Sequence, residues 1–339
     1  MAVSIKDVAS RAGVSIATVS HVLNGTRGTR PQTRQKVLAA IQDLGYAQNQ
    51  SARNLAMGRS TLLGLIISDI RNPFFPEVTA SFQDQALLHN METLVLNTNY
   101  DAQRTLNSVK RLVGLQVAAV AILTSQIDPG VMDSLAEHGI AAVYLDLGRV
   151  DRFISNILLD YEHGIAEALE HLTGLGHTQI AYAGGPPNLH SAQRRKKAFL
   201  ERAAQMGIDP SLTVDADFTV KGGYFATGKL LNGRIPTAIV AGNDLTAIGV
   251  LHRAYHGGLR VPEDLSVVGF DDILIAEYTQ PPLTTVLVPR VEIGKVAFQA
   301  LSAMLSDPTA GGKEYRLGTR LVTRESSARP RVIAERKVV

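Results

Sequence analysis

The chain has 339 residues, enough for two or three domains, and its 45% hydrophobic and 19% charged residues are typical of a soluble globular protein. It contains no cysteine, which excludes disulfides, thiol catalysis and cysteine-ligated zinc or iron–sulfur centres. No apolar run approaches the roughly 20 residues that cross a bilayer, and charges interrupt the N-terminus where a signal segment would lie, so we expect a cytoplasmic protein with no membrane partner.

The charge is distributed unevenly along the chain. The net charge is +3, yet residues 1–60 hold eight Lys or Arg and two acidic residues. The remainder is therefore mildly acidic. A small basic N-terminal segment followed by a mildly acidic remainder predicts an N-terminal domain that binds the phosphates of a nucleic acid. From charge alone, a solvated basic surface is the alternative.

Residues 4–24 predict two short helices joined by a turn. Ser4, followed three residues later by Asp7, is close to a capping box, Gly13 favours the left-handed turn, and Ser15 caps the second helix. The apolar residues of that second helix face inward and leave a small, mostly polar outer face, formed by Ile16, Ala17, Ser20, His21 and Asn24. Such a helix fits the major groove of DNA, and a generic helical hairpin is the alternative.

A third helix begins at Pro31 and ends at Gly45. Its predicted apolar face consists of Val37, Leu38, Ile41 and Leu44. We expect Tyr46 to pack back on the three helices. The residues that follow are polar, with one short helical window at about 50–56. The predicted boundaries are therefore 1–47 for a helix-turn-helix domain, 48–61 for a hinge helix and linker, and 62–339 for a core.

In the core, short apolar runs alternate with amphipathic helical stretches. The runs are 62–67, 93–97, 118–123, 141–145, 157–159, 180–183, 238–241 and 265–269, with a final strand at 321–327. Buried parallel strands joined by helices have this pattern. The fold class predicted is an all-α helix-turn-helix head plus an α/β core of two doubly wound parallel-sheet subdomains, which change over near Asp160.

These motifs, in this order and spacing, resemble the lactose-repressor (LacI/GalR) family of transcriptional regulators. The matching stretches are Ile5-Lys-Asp-Val-Ala9, Gly13-Val-Ser15, Thr18-Val-Ser-His-Val-Leu-Asn24, Asn72-Pro-Phe-Phe75, 242–249, 259–272 and Pro282-Leu-Thr-Thr285. The resemblance implies a core like periplasmic sugar-binding proteins, with a ligand cleft between an N-subdomain (about 62–160 and 291–318) and a C-subdomain (about 161–290 and 319–339). It also implies a homodimer on a near-palindromic DNA operator.

The resemblance also assigns DNA-binding residues. Ile16, Ala17 and His21 match the positions that discriminate operators, and their side chains suit thymine methyls and a purine edge. The residues expected to hold phosphates and set the register are Ser15, Thr18, Ser20, Asn24 and Arg34. In the hinge window, Leu55 is expected to act as an apolar wedge in the minor groove, with Arg53 contacting the backbone or groove.

Effector-binding residues are expected where parallel strands end, since ligands of open α/β sheets bind there. The candidates at strand ends are Asn72, Phe74, Phe75, Ser125, Asp146, Asn243 and Asp271. By resemblance, Arg195 matches the family's ligand arginine and Phe218 adds an aromatic wall. Together they offer aromatic faces and polar atoms to a sugar. Tyr161 stands where asparagine is common in the family and is expected to narrow the cleft.

The chain is therefore expected to be a sequence-specific DNA-binding regulator, a repressor controlled by a sugar or sugar derivative. A purine-like corepressor or a protein partner is the alternative controller. An enzyme is disfavoured because no Gly-x-Gly-x-x-Gly follows the first strand and no phosphate-binding loop or zinc-protease motif occurs. No cofactor or metal is expected. The C-terminal tail lacks leucine heptads, which favours a dimer over a tetramer.

Overall fold

The computed structural model describes residues 3–25, 28–46, 60–124, 129–232, 236–307 and 309–331. The chain divides into two compact units, a head within Met1–Ser60 and a core within Thr61–Val339. The predicted hinge helix and linker at 48–61 lies outside the described residues except at its last two positions.

The head contains three helices, α1 (Ile5–Ala12), α2 (Ile16–Asn24) and α3 (Pro31–Leu44). The predicted capping box is present, since the Ser4 backbone N–H donates to the Asp7 carboxylate at 2.8 Å. Gly13 adopts φ +67°, the left-handed backbone that ends α1. The Ser15 hydroxyl accepts the Thr18 N–H at 3.1 Å and so caps α2.

The small core of the head consists of Val8, Ala9, Ala12, Val19, Val37 and Ala40, with Tyr46 packed against it as predicted. One predicted member of the α3 face is wrong, because Leu38 is 48% exposed. Helical periodicity places Val37, Ala40, Ile41 and Leu44 on one face, and position 38 is turned about 100° from position 37. Ala40, not Leu38, fills that face.

The first sheet of the core has the strand order β11-β5-β4-β3-β1-β2, and every neighbouring pair is parallel. Its strands are β1 (Leu62–Ile67), β2 (Glu92–Asn97), β3 (Ala119–Leu123), β4 (Ala141–Leu145), β5 (Ile154–Leu159) and β11 (Glu314–Leu317). Helices α4 (Phe74–Leu88), α5 (Ala102–Gly114) and α6 (Pro129–Glu137) connect these strands.

The second sheet has the order β12-β10-β9-β8-β6-β7 and is parallel except for β12, which pairs antiparallel with β10. Its strands are β6 (Ile180–Ala183), β7 (Thr213–Val214), β8 (Ala238–Ala241), β9 (Ser266–Asp271), β10 (Thr284–Leu287) and β12 (Arg320–Val322). The helices between them are α7 (Tyr161–Gly174), α8 (His190–Gln205), α9 (Val220–Leu230), α10 (Asp244–His256) and a 3₁₀ helix at Leu274–Tyr278.

The chain crosses between the two sheets three times. It leaves the first sheet between β5 and α7, returns after β10 through α11 (Arg290–Ser306), which packs against α4, and crosses again between β11 and β12. We call the part built on the first sheet the first subdomain and the part built on the second sheet the second subdomain. The fold class predicted from the sequence is thus confirmed.

Two predicted strands differ most from the structure, whereas β2, β3 and β9 differ from their predicted limits by one or two residues. β5 begins at Ile154, three residues before the predicted run, and the predicted strand at 321–327 ends at Val322. Beyond Val322 a side chain takes over part of the pairing, because the Ser326 hydroxyl accepts the Thr284 N–H at 2.8 Å and donates to the Val267 carbonyl at 2.6 Å. Strands β7, β10 and β11 were not predicted.

Candidate functional site

The outer face of α2 carries most of the predicted DNA-reading residues. Ile16 is 45% exposed, Ala17 is exposed, and His21 is half-buried. Of the residues predicted to hold phosphates, Ser15 and Arg34 are exposed, and Thr18 and Ser20 are half-buried. For Asn24, the last residue of α2, only the backbone is described, and Arg53 and Leu55 lie outside the described residues.

In the core, a single cavity between the two subdomains gathers the predicted effector residues. Those that line it are Asn72, Phe74, Phe75, Asp146, Arg195, Phe218, Asn243 and Asp271. Ser125, the ninth, lies outside the described residues. We call this cavity the cleft.

Local backbone geometry turns several of these side chains into the cleft. Asp146 follows β4, Phe218 precedes α9 and Asp271 ends β9, and these three residues have φ of +58°, +62° and +114°. Tyr100, three residues after β2, has φ +58° and also lines the cleft. Residues with side chains rarely adopt this backbone, and such strain concentrates at ligand sites.

A buried ion pair forms one wall of the cleft. The Arg195 guanidinium donates to the Asp271 carboxylate at 3.0 Å and to the Gly242 carbonyl at 2.6 Å, and its central carbon lies 4.2 Å from the Phe270 ring centroid. Burial raises the pKa of Asp271, and attraction to Arg195 opposes that rise. The pair therefore presents fixed donors and acceptors within a wall of aromatic rings.

A second polar group faces the cleft from the first subdomain. The Asp146 carboxylate accepts hydrogen bonds from the Leu159 N–H at 3.0 Å, the Tyr161 hydroxyl at 2.6 Å and the Arg194 guanidinium at 3.0 Å. Burial raises the pKa of Asp146, and the Leu159 and Tyr161 hydrogen bonds oppose the rise. Since Tyr161 and Arg194 belong to α7 and α8, Asp146 joins the two subdomains.

The cleft is narrow in this conformation. Its cavity volume is about 40 Å³. Pockets that hold small ligands are roughly 300–1,000 Å³. A sugar-sized ligand therefore requires the subdomains to separate or the lining side chains to move.

Sequence reasoning missed Tyr100 and Arg194. Tyr100 comes from the first subdomain and packs against Leu189, Ala192 and Phe218 of the second subdomain. Its place just beyond the carboxyl end of β2 is the signal that could have found it, because β1 and β2 end at the same edge of the sheet. Arg194 was visible only as the neighbour of Arg195, and nothing in its spacing distinguishes it.

Within the described ranges, no group of three or more His, Cys, Asp or Glu side chains is placed to hold a metal ion. No helix in the same part of the chain is long and apolar enough to span a membrane.

Comparison with known proteins decides the family. A family model described as bacterial regulatory proteins, lacI family, matches residues 4–49, which include α1 to α3, and one for a periplasmic binding protein-like domain matches residues 169–327. Catabolite control protein A of Priestia megaterium is 32% identical over 96% of this chain and 100% of its own length. The chain belongs to the lacI family of bacterial regulatory proteins.

Other similar proteins agree with this assignment. The repressor PurR of Photobacterium profundum is 32% identical over 95% of this chain and 98% of its own. The crystal structure of the Lac repressor dimer bound to operator and the anti-inducer ONPF superposes with a TM-score of 0.86 at 28% identity, covering 97% of this chain and 100% of that one. A complex of the transcriptional regulator CelR with cellobiose gives 0.72 at 28% identity, covering 96% and 100%.

The family fixes the general activity. The chain is a DNA-binding transcriptional regulator with a small-molecule effector domain, and it is not an enzyme, as the sequence predicted. The resemblance stated from the sequence motifs is confirmed.

Proposed function

We propose that this regulator is a repressor that binds a near-palindromic operator as a homodimer and is controlled by a sugar or sugar derivative in the cleft. The observation that carries the effector part is the buried Arg195–Asp271 pair, set among aromatic rings where the strands of the second sheet end. Sugars need this combination, since apolar faces hold their C–H groups and fixed polar atoms orient their hydroxyls.

For DNA reading, we propose that Ile16, Ala17 and His21 contact base edges. Their support is the exposure of the α2 face and the rigid capping of α2 by Ser15. Phosphate contacts are proposed for Ser15, Thr18, Ser20, Asn24 and Arg34. For Leu55 and Arg53, the proposed minor-groove contact rests on the sequence and the family resemblance.

The proposed partner in the dimer is a second copy of this chain. An aromatic patch on α9 and α10 supports it, in which Phe225 is 58% exposed and Tyr255 is 79% exposed. The rings between them form a continuous series, since Tyr224 lies 5.7 Å from Phe225 and 5.8 Å from His256. Exposed apolar surface of this kind marks protein–protein contacts, and the similar Lac repressor structure is a dimer.

Control by the effector follows from the two-subdomain cleft. The two subdomains can adopt more than one arrangement, and a ligand that binds one of them more tightly shifts the equilibrium towards it. The shift, and with it the change in DNA affinity, is limited by the difference in binding free energy between the two arrangements. Such coupling is typically about 1–3 kcal/mol, or about 5–150-fold in affinity. A purine corepressor is the second candidate, because the rings of Phe75 and Phe218 line the cleft and suit stacking on a planar base.

The test is selection of operator fragments from genomic DNA, followed by fluorescence anisotropy with the selected duplex. We expect His21→Ala to weaken operator binding and relax base preference at one position in each half-site, whereas Gln42→Ala, on the exposed end of α3, leaves binding unchanged. Binding that shows no preference over bulk DNA would reject the proposal. Light scattering that reports a monomer or a tetramer would reject the dimer.

A further inference from the structure

Three hydrogen bonds within the chain use most of the polar capacity of Asp146. Its Oδ1 accepts from the Leu159 N–H and from Arg194, each at 3.0 Å, and its Oδ2 accepts from the Tyr161 hydroxyl at 2.6 Å. The Tyr161 oxygen therefore lies where the hydroxyl of a ligand would lie if the ligand bound Asp146. A ligand that needs this carboxylate has to displace a short hydrogen bond from a neutral phenol, since burial raises the pKa of Tyr161 well above its usual value.

The ring of Tyr161 is buried in the wall of the cleft. Its side chain is 1% exposed, and its centroid lies 5.9 Å from that of Phe270. The guanidinium carbons of Arg194 and Arg195 each lie 4.9 Å from the Tyr161 centroid, within the range of cation–π attraction. The ring is thus held by contacts with several groups, and moving it aside would break them together.

The remaining recognition groups lie around the Tyr161 ring, and the Arg195 guanidinium is in contact with it. Among the described residues, the Nε–H of Arg195 is a buried donor with no hydrogen-bond partner. Asn72 and Asn243 line the same cavity. Both lining carboxylates are already paired, Asp271 with Arg195 and Asp146 with Arg194. An uncharged ligand with an acceptor oxygen for Arg195 matches this arrangement, and a buried donor without an acceptor is costly.

We propose that Tyr161 determines the size and class of the effector. Its ring takes up space in the cleft and its hydroxyl occupies Oδ2 of Asp146, so the regulator selects a compact, uncharged monosaccharide held by Arg195. Larger ligands that need the space of the ring or the Asp146 carboxylate are rejected. The inference rests on the proposed function, in which the cleft binds a sugar.

The test is isothermal titration of the full chain with D-ribose, D-glucose and cellobiose. We expect the wild-type protein to bind at least one monosaccharide at least 10-fold more tightly than cellobiose. Tyr161→Asn removes the ring and exposes Asp146, so it is expected to narrow that ratio at least 10-fold. Tyr161→Phe keeps the ring and is expected to keep cellobiose excluded. Tyr315→Phe, on the edge strand β11 outside the cleft, is the matched control.

Two results would overturn the inference. One is a wild-type protein that binds cellobiose as tightly as a monosaccharide, and the other is a folded Tyr161→Asn variant with an unchanged ratio. If the wild-type protein binds none of the three sugars, the proposed sugar effector fails, and Tyr161 is judged separately by crystal structures grown in glycerol. A glycerol hydroxyl bound to Asp146 in the Tyr161→Asn crystal, and not in the wild-type crystal, would support the blocking of Asp146 by Tyr161. Glycerol bound to Asp146 in the wild-type protein, or in neither protein, would refute that blocking.

Discussion

The buried ion pair of the cleft gives the sharpest prediction about stability. Replacing Arg195 by Met keeps much of the side-chain volume but leaves the Asp271 carboxylate buried without its partner 3.0 Å away. Both side chains are less than one-tenth exposed, so solvent screens the pair very little. Breaking a buried pair by removing one member costs about 3–5 kcal/mol. For a unit of this size, about 2–4 °C is lost per kcal/mol, which predicts a fall in Tm of about 10 °C.

The effect of pH has a definite sign. Burial already raises the pKa of Asp271 in the folded protein, and loss of the Arg195 charge raises it further. The cost of leaving the carboxylate without Arg195 is therefore larger at pH 7.5 than at pH 5. As the pH falls towards the raised pKa, Asp271 takes up a proton more readily in the folded than in the unfolded state, and the difference from wild type shrinks.

The assay is thermal unfolding of the full chain, followed by circular dichroism at pH 7.5 and pH 5. Arg195→Met combined with Asp271→Asn is expected to recover most of the lost stability, because the Asp271 charge that lost its partner is removed as well. The control is Arg71→Met, which removes an arginine that is 74% exposed in its pair with Asp69 and should leave the Tm close to wild type. The reasoning is refuted if Arg195→Met behaves like the control, if its effect is independent of pH, or if the double variant is as unstable as the single one.

Three other residues give independent predictions. A Cβ on Gly223 would lie 2.2 Å from a backbone carbonyl of α10, so Gly223→Ala should lower the free energy of unfolding, measured by urea titration, by at least about 1–3 kcal/mol. The control is Gly228→Ala, whose Cβ would meet a side-chain nitrogen at 3.4 Å and which should be neutral or stabilising. Equal effects of the two variants would contradict the close approach of α9 and α10. Burial lowers the pKa of His177 in the folded protein, so neutral His177 contributes its full stabilisation above its unfolded pKa of about 6.5, and this is lost as the pH falls below that value. The Tm of His177→Gln should therefore change less between pH 7.5 and pH 5 than the Tm of the wild-type protein. An equal change in both proteins would contradict this. Ser15→Ala removes the cap of α2 and should cost about 1 kcal/mol, seen as faster amide exchange in α2; Ser10→Ala, at an exposed position of α1, should not change that exchange, and a similar effect of both variants would argue against the cap.

The sequence predicted the structure correctly where a residue acts through its own hydrogen bonds or backbone angles. Ser4, Asp7 and Gly13 set the start and end of α1 by hydrogen bonding and by φ, and the structure has both features. Strands β1, β4, β6 and β8 have the predicted limits because both faces of each are buried and the apolar run ends where burial ends. Leu38 shows the limit of composition, since a leucine on the wrong side of the helical repeat remains exposed.

The strands that the sequence did not predict depend on tertiary partners. β11 alternates between exposed and half-buried residues, and its four residues form a strand because β5 provides a parallel edge. In the cleft, strand ends identify Asn72 and Asp271 as lining residues. The occupation of Asp146 by Tyr161 and Arg194 depends on two helices of the other subdomain, which no local pattern encodes.

The central claim is that a metabolite in the cleft changes how well the head binds its operator. The most direct measurement is the anisotropy of a labelled operator titrated with the full chain, with and without each sugar and purine that calorimetry shows to bind. We predict two protomers per operator and a change in affinity of about 5–150-fold with at least one bound ligand. Ligands that bind tightly while the operator affinity stays the same would contradict it.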